Sequence, residues 1–299
     1  MSAVPLDHRG PGTGVSLVVC TRDRAGSLEG LLASVGAAAR PAWFELVVVD
    51  NGSRDRTPEV LASYAARADH AVTVVHEPRP GLGRARNAGV AAAGGGIIAF
   101  TDDDCRLERT HLVSLAEAFA EHPIDLCGGR ILPASPHDGP VALNPAPGFR
   151  YFPPRRPVVT GQVQGANMAV RRAVLLELGG FDERLGAGTH FRCEDIDLCA
   201  RALAAGHRAA HVPGIVVWHA HGRRGAELRA LERDNERATG AFVAKRVLDG
   251  ERAYARAWAA AAVRSAGRRP VNVVRSTRSR LTELSGAAAY VAARRRGLA

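Results

Sequence analysis

Asp102, Asp103 and Asp104 stand in a row at the end of the apolar run "GGGIIAFT". Adjacent carboxylates repel one another, and aspartate is a poor strand former. A divalent cation would relieve the repulsion. In an extended segment residues i and i+2 point to the same side, so Asp102 and Asp104 are expected to converge on one cation, with Asp103 directed elsewhere. Hard oxygen ligands suit Mn2+ or Mg2+, and one or two carboxylates leave room for substrate phosphates. A solvated acidic turn is the alternative.

A second acidic cluster lies in "CEDIDLCAR" (193–201). On a helix, Glu194 and Asp197 share a face, while Asp195 projects elsewhere near the helix start, where a carboxylate is favoured as the anion and is poised to accept a proton. Dipole compensation alone also accounts for acids at that place. In "VVWHAH" (216–221), His219 is either a third metal ligand or a satisfied structural histidine. Asp50, Asn51 and Ser53 in "VVVDNGSRD" could read a base or ribose, or could simply form a strand–turn–helix link. In "GLGRARNAG" (81–89) Arg86 occupies the third glycine position of a dinucleotide fingerprint, which excludes NAD. Arg84 and Arg86 near a helix start suit a phosphate or diphosphate; solvent-facing arginines are the plain alternative.

These residues need a scaffold, and the pattern of apolar runs supplies one. "VSLVVC" (15–20), "FELVVVD" (44–50), "AVTVVHE" (71–77) and "GIIAFT" (96–101) read as strands, the first two buried on both faces. Helical segments alternate with them, over 26–40, 57–68 and 83–93; the second opens on Thr57 as a cap, with Pro58 at the first helical position. Alternation of this kind implies an α/β fold with a mostly parallel sheet flanked by helices, whose ligands bind beyond the carboxyl ends of the strands. Thr21–Arg24, Asp50–Ser53 and Asp102–Asp104 therefore belong to one rim. Residues 133–160, with eight prolines, read as a long surface loop, either a flap over the site or a variable insertion.

Composition sets the outer bounds. The 299 residues are 46% hydrophobic and 23% charged, as in a globular protein. No apolar run has the length of a membrane span, and "MSAVPLDHRGPGTG" lacks the pattern of a secretory signal. Five cysteines without a C-x-x-C pair argue for a reducing cytoplasm rather than disulfides or zinc. The net charge of +10 is unevenly placed: residues 251–299 hold eleven arginines against Glu251 and Glu283, which leaves about +1 for the first 250 residues.

Taken in order, "VSLVVCTRDR", "VVVDNGSRD", "ARNAG", "FTDDD", "GANMAVRR", "GGFDERLG" and "EDIDL" resemble the inverting family 2 glycosyltransferases of the GT-A fold, over residues 15 to about 202. The resemblance implies a nucleotide-diphosphate-sugar donor (UDP, GDP or dTDP), a divalent metal, and a glycan, lipid-linked or small-molecule acceptor. It implies Thr21, Arg22, Asp50 and Asn51 around the nucleobase and ribose, Arg86 near the nucleotide, and Asp102 and Asp104 on ribose and metal. Asp195 becomes the general base with Glu194 beside it, and Gly165, Ala166 and Asn167 line the acceptor side. Cys20 and Arg22 depart from the commoner proline and aromatic of that family. A sugar nucleotidyltransferase shares the sheet architecture but calls for a glycine-rich basic loop after the first strand, which "CTRDRAGS" does not provide. A non-catalytic sugar-nucleotide or membrane-binding protein would not need both acidic clusters.

The expected organisation is a disordered N-terminus (1–14), a GT-A catalytic domain (15–222) and a helical, basic C-terminal extension (223–299). In the extension Val274, Leu281, Leu284, Ala288 and Val291 fall on one helical stripe among arginines. That stripe suits peripheral contact with anionic lipid at the inner face of the membrane, or packing against the catalytic domain or a partner. Nucleic acid is not expected, because the tail has one aromatic, Tyr290, and no stacking platform.

Overall fold

The computed structural model describes residues 14–137, 139, 141–266 and 270–298, with the backbone alone over 262–266 and 270–276. The N-terminus expected to be disordered lies outside the described residues, Gly14 apart. The buried apolar runs form the strands they predict: β1 (Val15–Thr21), β2 (Phe44–Asp50), β3 (Ala71–His76) and β4 (Ile97–Asp102). Between them lie α1 (Ala25–Ala37), α2 (Thr57–Ala65) and α3 (Leu82–Ala92). Thr57 is the first helical residue of α2 rather than its cap; Asp55 accepts from its amide and its hydroxyl. Then follow β5 (Cys105–Leu107), α4 (His111–Glu121), β6 (Leu126–Pro133) and β7 (Arg150–Phe152), the last a short strand inside the proline-rich loop. A 3₁₀ turn (Gly165–Asn167) leads into β8 (Met168–Arg171), α5 (Arg172–Glu177), α6 (Glu194–Ala205) and β9 (Ala209–His219). The chain ends in α7 (Gly225–Leu248), α8 (Ala253–Ala266) and α9 (Pro270–Arg295).

The nine described strands form one sheet in the order β3-β2-β1-β4-β8-β6-β9-β5, with β7 also on β9. The pairings run β1, β2, β3, β4, β6 and β9 in one direction and β5, β7 and β8 in the other. The mostly parallel α/β sheet expected from the sequence is thus present. Alternate residues of β1 serve opposite faces: Leu17 and Val19 pack with Leu28, Leu31 and Leu112, while Val18 packs with Val90, Phe100 and Met168.

The register places the site. Thr21 lies opposite Asp50, and Cys20 opposite Asp102, so the ends of β1, β2 and β4 share a rim. Cys105 on β5 lies opposite His219 on β9, which brings His219 to the same rim. Between Gly129 and Arg130 the β6–β9 ladder skips a register, where Pro213 interrupts β9. The Asn167 amide bridges the irregularity by donating to the Arg130 and Ile215 carbonyls.

The C-terminal helices pack on one another and against α6 and the segment that leads into it. A Cβ at Gly240 on α7 would run into the Glu283 carbonyl of α9, and one at Gly286 into the Arg237 carbonyl, so both glycines permit backbone contact. Tyr290 is fully buried, its ring 5.3 Å from Phe191. Beneath α7, fully buried Asp197 takes Arg201 at 2.9 Å and Lys245 at 2.8 Å, with Arg246 at 3.4 Å. Among the described residues, no helix is long and apolar enough to cross a membrane.

Candidate active site

One cleft of about 680 Å³ opens along the rim. Of the residues singled out in the sequence, Thr21, Arg22, Asn51, Arg86, Asp102, Asp103, Asp104, Gly165, Ala166, Glu194, Asp195 and His219 line it. Asp50, Ser53 and Asn167 do not line it. Asp50 accepts from the Ser53 amide at 2.9 Å, and the Ser53 hydroxyl accepts from the Asp23 amide at 3.0 Å. These contacts join the first two rim turns, with Asp23 itself left-handed at φ 53°. Asn51 reaches the cleft, but its amide donates to the Glu77 and Arg79 carbonyls and accepts from the Gly81 amide. Its side chain therefore holds the turn that starts α3.

The aspartate triplet departs from the extended geometry expected of it. The strand stops at Asp102, and Asp103 and Asp104 form a turn into β5. The i, i+2 alternation therefore lapses, and Asp103 joins Asp104 instead of facing away. Arg24 spans these two, 3.5 Å from Asp103 and 2.6 Å from Asp104, and the Thr21 hydroxyl donates to Asp103 at 2.8 Å. Burial pushes Asp103 up to about 6, in spite of Arg24 and Thr21. Burial acts on Asp104 too, but His219 at 3.1 Å and Arg24 hold its carboxyl at about 2. His219, buried yet hydrogen-bonded to Asp104, is raised above the ordinary histidine value.

Asp104, His219 and Cys105 have potential ligand atoms within 4.8 Å of one another. Burial raises the Cys105 thiol well above its ordinary value, so it stays protonated and is a poor ligand for a hard ion. The carboxylate–imidazole pair that remains, with Asp102 in the same cleft, is a donor set that fits Mn2+ or Mg2+.

Asp102 is directed to Arg86, at 3.5 Å. The Arg86 side chain is 4% exposed; it donates to Glu194 at 2.7 Å and lies 5.4 Å from the Phe181 ring centroid. It is therefore the internal link between the two acidic clusters, neither a solvent-facing arginine nor one left free for a diphosphate. A Cβ at Gly165 would collide with this guanidinium, so glycine leaves the space that Arg86 fills, and a larger residue requires Arg86 to shift. Arg84, by contrast, is at the surface, paired with Glu183 at 3.0 Å.

At the start of α6 the two neighbouring acids differ. Burial raises Glu194 to about 7, partly offset by Arg86. Asp195 accepts two backbone hydrogen bonds of 2.7 Å, from Gly165 and from Ile196. Two of its four lone-pair sites are used in this way, so the carboxylate is oriented and still able to accept a proton.

Several lining residues escaped the sequence pattern. Arg24 was placed on the rim with its turn, but not as the partner of Asp103 and Asp104. Arg192, Arg223, Leu231, Asn235, Glu236, Thr239 and Glu283 had no signal in the sequence. They reach the cleft from the α6 approach and from α7 and α9, whose docking brings them there.

Comparison with known proteins accords with this architecture. Residues 16–179 match the model of the family described as glycosyl transferase family 2. Over 227 residues the chain is 30% identical to a pre-mycofactocin glycosyltransferase of Mycobacterium tuberculosis, covering 73% of this chain and 45% of that protein. It is 26% identical over 207 residues to glycosyltransferase AglE of Haloferax volcanii, covering 69% of this chain and 66% of that one. The chain thus spans about half the length of the first of these relatives. Among solved structures, mannosyltransferase PcManGT from Pyrobaculum calidifontis, in complex with GDP-Man and Mn2+, superposes with a TM-score of 0.60 at 22% identity, over 93% of this chain and 74% of that one. TarS 1-349 of S. aureus, in complex with UDP-GlcNAc, gives 0.58 at 19%, over 77% and 66%. At such identities the likeness shows the fold, which is the GT-A fold expected from the motifs. The family match takes in more than half of the sequence, including β2 to β4 and all but the first residue of β1, so the chain belongs to glycosyl transferase family 2.

Proposed function

We propose that the cleft binds a nucleotide-diphosphate sugar with Mn2+ or Mg2+ and transfers the sugar, with inversion, to an acceptor hydroxyl. The observation that carries this reading is that one cleft holds both the Asp104–His219 pair and a carboxylate, Asp195, oriented by two backbone amides. The complexes of PcManGT with GDP-Man and Mn2+ and of TarS with UDP-GlcNAc support the donor class. In this reading residues 15–222 are the catalytic domain and 223–299 its helical extension. Five free cysteines support a cytoplasmic setting.

Asp104 and His219, with Asp102, would hold the ion. Its chemistry when bound is to offset negative charge on the departing diphosphate, a contribution of several kcal/mol. Thr21, Arg22 and Asn51 form the wall proposed for base and ribose, with Asp50 and Ser53 bracing the turn behind them. Asp195 takes the proton from the acceptor hydroxyl as its oxygen attacks the anomeric carbon, a role worth about 10²–10⁴ in rate. Gly165 and Ala166 form the adjoining acceptor wall, and Asn167 braces it from the sheet. A single in-line displacement inverts the anomeric configuration without a covalent enzyme intermediate. The acceptor is a glycan, a lipid-linked sugar or a small molecule.

A thermal-shift panel of UDP, GDP and dTDP, with and without Mn2+, tests the reading on wild type and Asp104→Ala. Binding to the folded state stabilises by about 2.7 kcal/mol at a hundredfold excess over Kd. The expected result is a Mn2+-dependent shift with one nucleotide that Asp104→Ala abolishes. No shift with any nucleotide would overturn the donor site.

A further inference from the structure

The helical stripe Leu281, Leu284 and Ala288 is amphipathic in the sequence, yet it is not the face that α9 buries. Glu283, Gly286, Tyr290 and Ala293 face inward, whereas Leu281 and Leu284 are 62% and 51% exposed. Ala288 continues their line one turn on, and Ala292 and Arg295 extend it. Val291 is half-buried at its margin, and the Val274 side chain lies outside the described residues.

The charge on this face has one sign. Glu251 and Glu283 are the only acids after residue 250, and both are engaged internally: Glu251 with Arg246, and Glu283 with Arg280 and the Trp258 indole. Arg294 is committed to Asp249 at 2.7 Å. Arg278, Arg295 and Arg296 are exposed and have no carboxylate partner among the described residues. The outer face of α9 therefore offers two leucines flanked by unpaired arginines, while its inner face is locked onto α7.

We propose that this outer face docks the protein on an anionic lipid surface. Unpaired arginines are attracted to acidic headgroups, and the exposed leucines can then leave water for the acyl boundary. Charge complementarity selects an anionic partner, and the leucines select a lipid one, since a nucleic-acid backbone has no apolar phase for them. The helix is already folded and docked, so binding does not carry the ordering cost of an unstructured tail. The same two helices supply Asn235, Glu236, Thr239 and Glu283 to the cleft, so the lipid-facing element is also a wall of the site. The proposal does not depend on the catalytic reading, and nucleotide binding is measured separately from it.

The test is flotation of the full chain with phosphatidylcholine vesicles, with or without about one third phosphatidylglycerol. Expected is partition onto the anionic vesicles alone, weakened by salt. Leu281→Asp/Leu284→Asp and Arg278→Glu/Arg295→Glu/Arg296→Glu should each lower the partition by about tenfold or more with an unchanged melting temperature. Leu176→Asp, at an exposed leucine on α5, should leave it unaltered. If the aspartate pair fails to fold, Leu281→Ala/Leu284→Ala reads the same loss. No partition onto anionic vesicles would overturn the proposal. So would partition indifferent to the leucines, which marks a general polyanion site, or sedimentation showing that the leucine variants break a dimer.

Discussion

The two acidic clusters on the rim face the same electrostatic problem and meet it in different ways. The first, Asp102–Asp104, lies at a strand end and is neutralised from three sides: Arg86 takes Asp102, Arg24 spans Asp103 and Asp104, and His219 takes Asp104. The second, Glu194–Asp195, lies at a helix start and divides its work between neighbours. Glu194 is buried on Arg86, and Asp195 is held by backbone amides in the cleft. One cluster is thus built to hold charge, the other to present a single oriented carboxylate. Arg86 belongs to both, so disturbing it should couple what the geometry otherwise keeps apart.

The sharpest separation comes from Asp195→Asn. Donor turnover should fall by about 10²–10⁴, while the nucleotide-induced thermal shift stays at the wild-type value; a loss of both would place Asp195 in donor binding instead. Arg86→Met removes the shared cation and leaves Glu194 buried without its partner. Breaking such a pair costs about 3–5 kcal/mol, less whatever Glu194 recovers by taking up a proton. Urea unfolding should show that loss, and Arg86→Met/Glu194→Gln should recover part of it. Gly165→Ala forces its Cβ onto the Arg86 guanidinium, for an expected loss of about 1–3 kcal/mol and a weaker hold on Asp195. An unchanged melting temperature would show that Arg86 has room to move.

The smallest effect is a pH slope. Glu194, raised to about 7 by burial, binds a proton in the folded chain at pH values where the unfolded carboxyl, with an ordinary value of 4.5, has lost it. Its contribution to stability is therefore complete below about 4.5 and declines as pH rises to about 7. Comparison of Glu194→Gln with wild type across that window isolates the slope. Asp104, held near 2, contributes in the opposite sense: its stabilisation is present above about 4 and lost as pH falls towards 2.

Much of the rim was legible in the sequence because strands buried on both faces are apolar runs, and the residues that end such runs must lie together at the sheet's edge. That logic located 21–24, 50–53 and 102–104 without any knowledge of pairing. It failed at the level of single side chains. The Asp102–Asp104 alternation assumed that the strand continued, and the chain turned instead. Asn51 and Asn167 have the chemistry of ligand contacts, but nearby unpaired backbone groups claim their amides.

The amino-acid sequence by itself determined the α/β architecture, the polar rim and the amphipathic period of the last helix, because all three follow from local patterns of apolar and polar residues. Tertiary structure alone decided three further matters. Asp104 meets His219 through an antiparallel register between strands more than a hundred residues apart. Arg86 is buried because Gly165 leaves space for its guanidinium. The leucine stripe of α9 faces outward because Gly240 and Gly286 let the opposite face close on α7. Periodicity defines the faces of a helix, but packing decides which of them is covered.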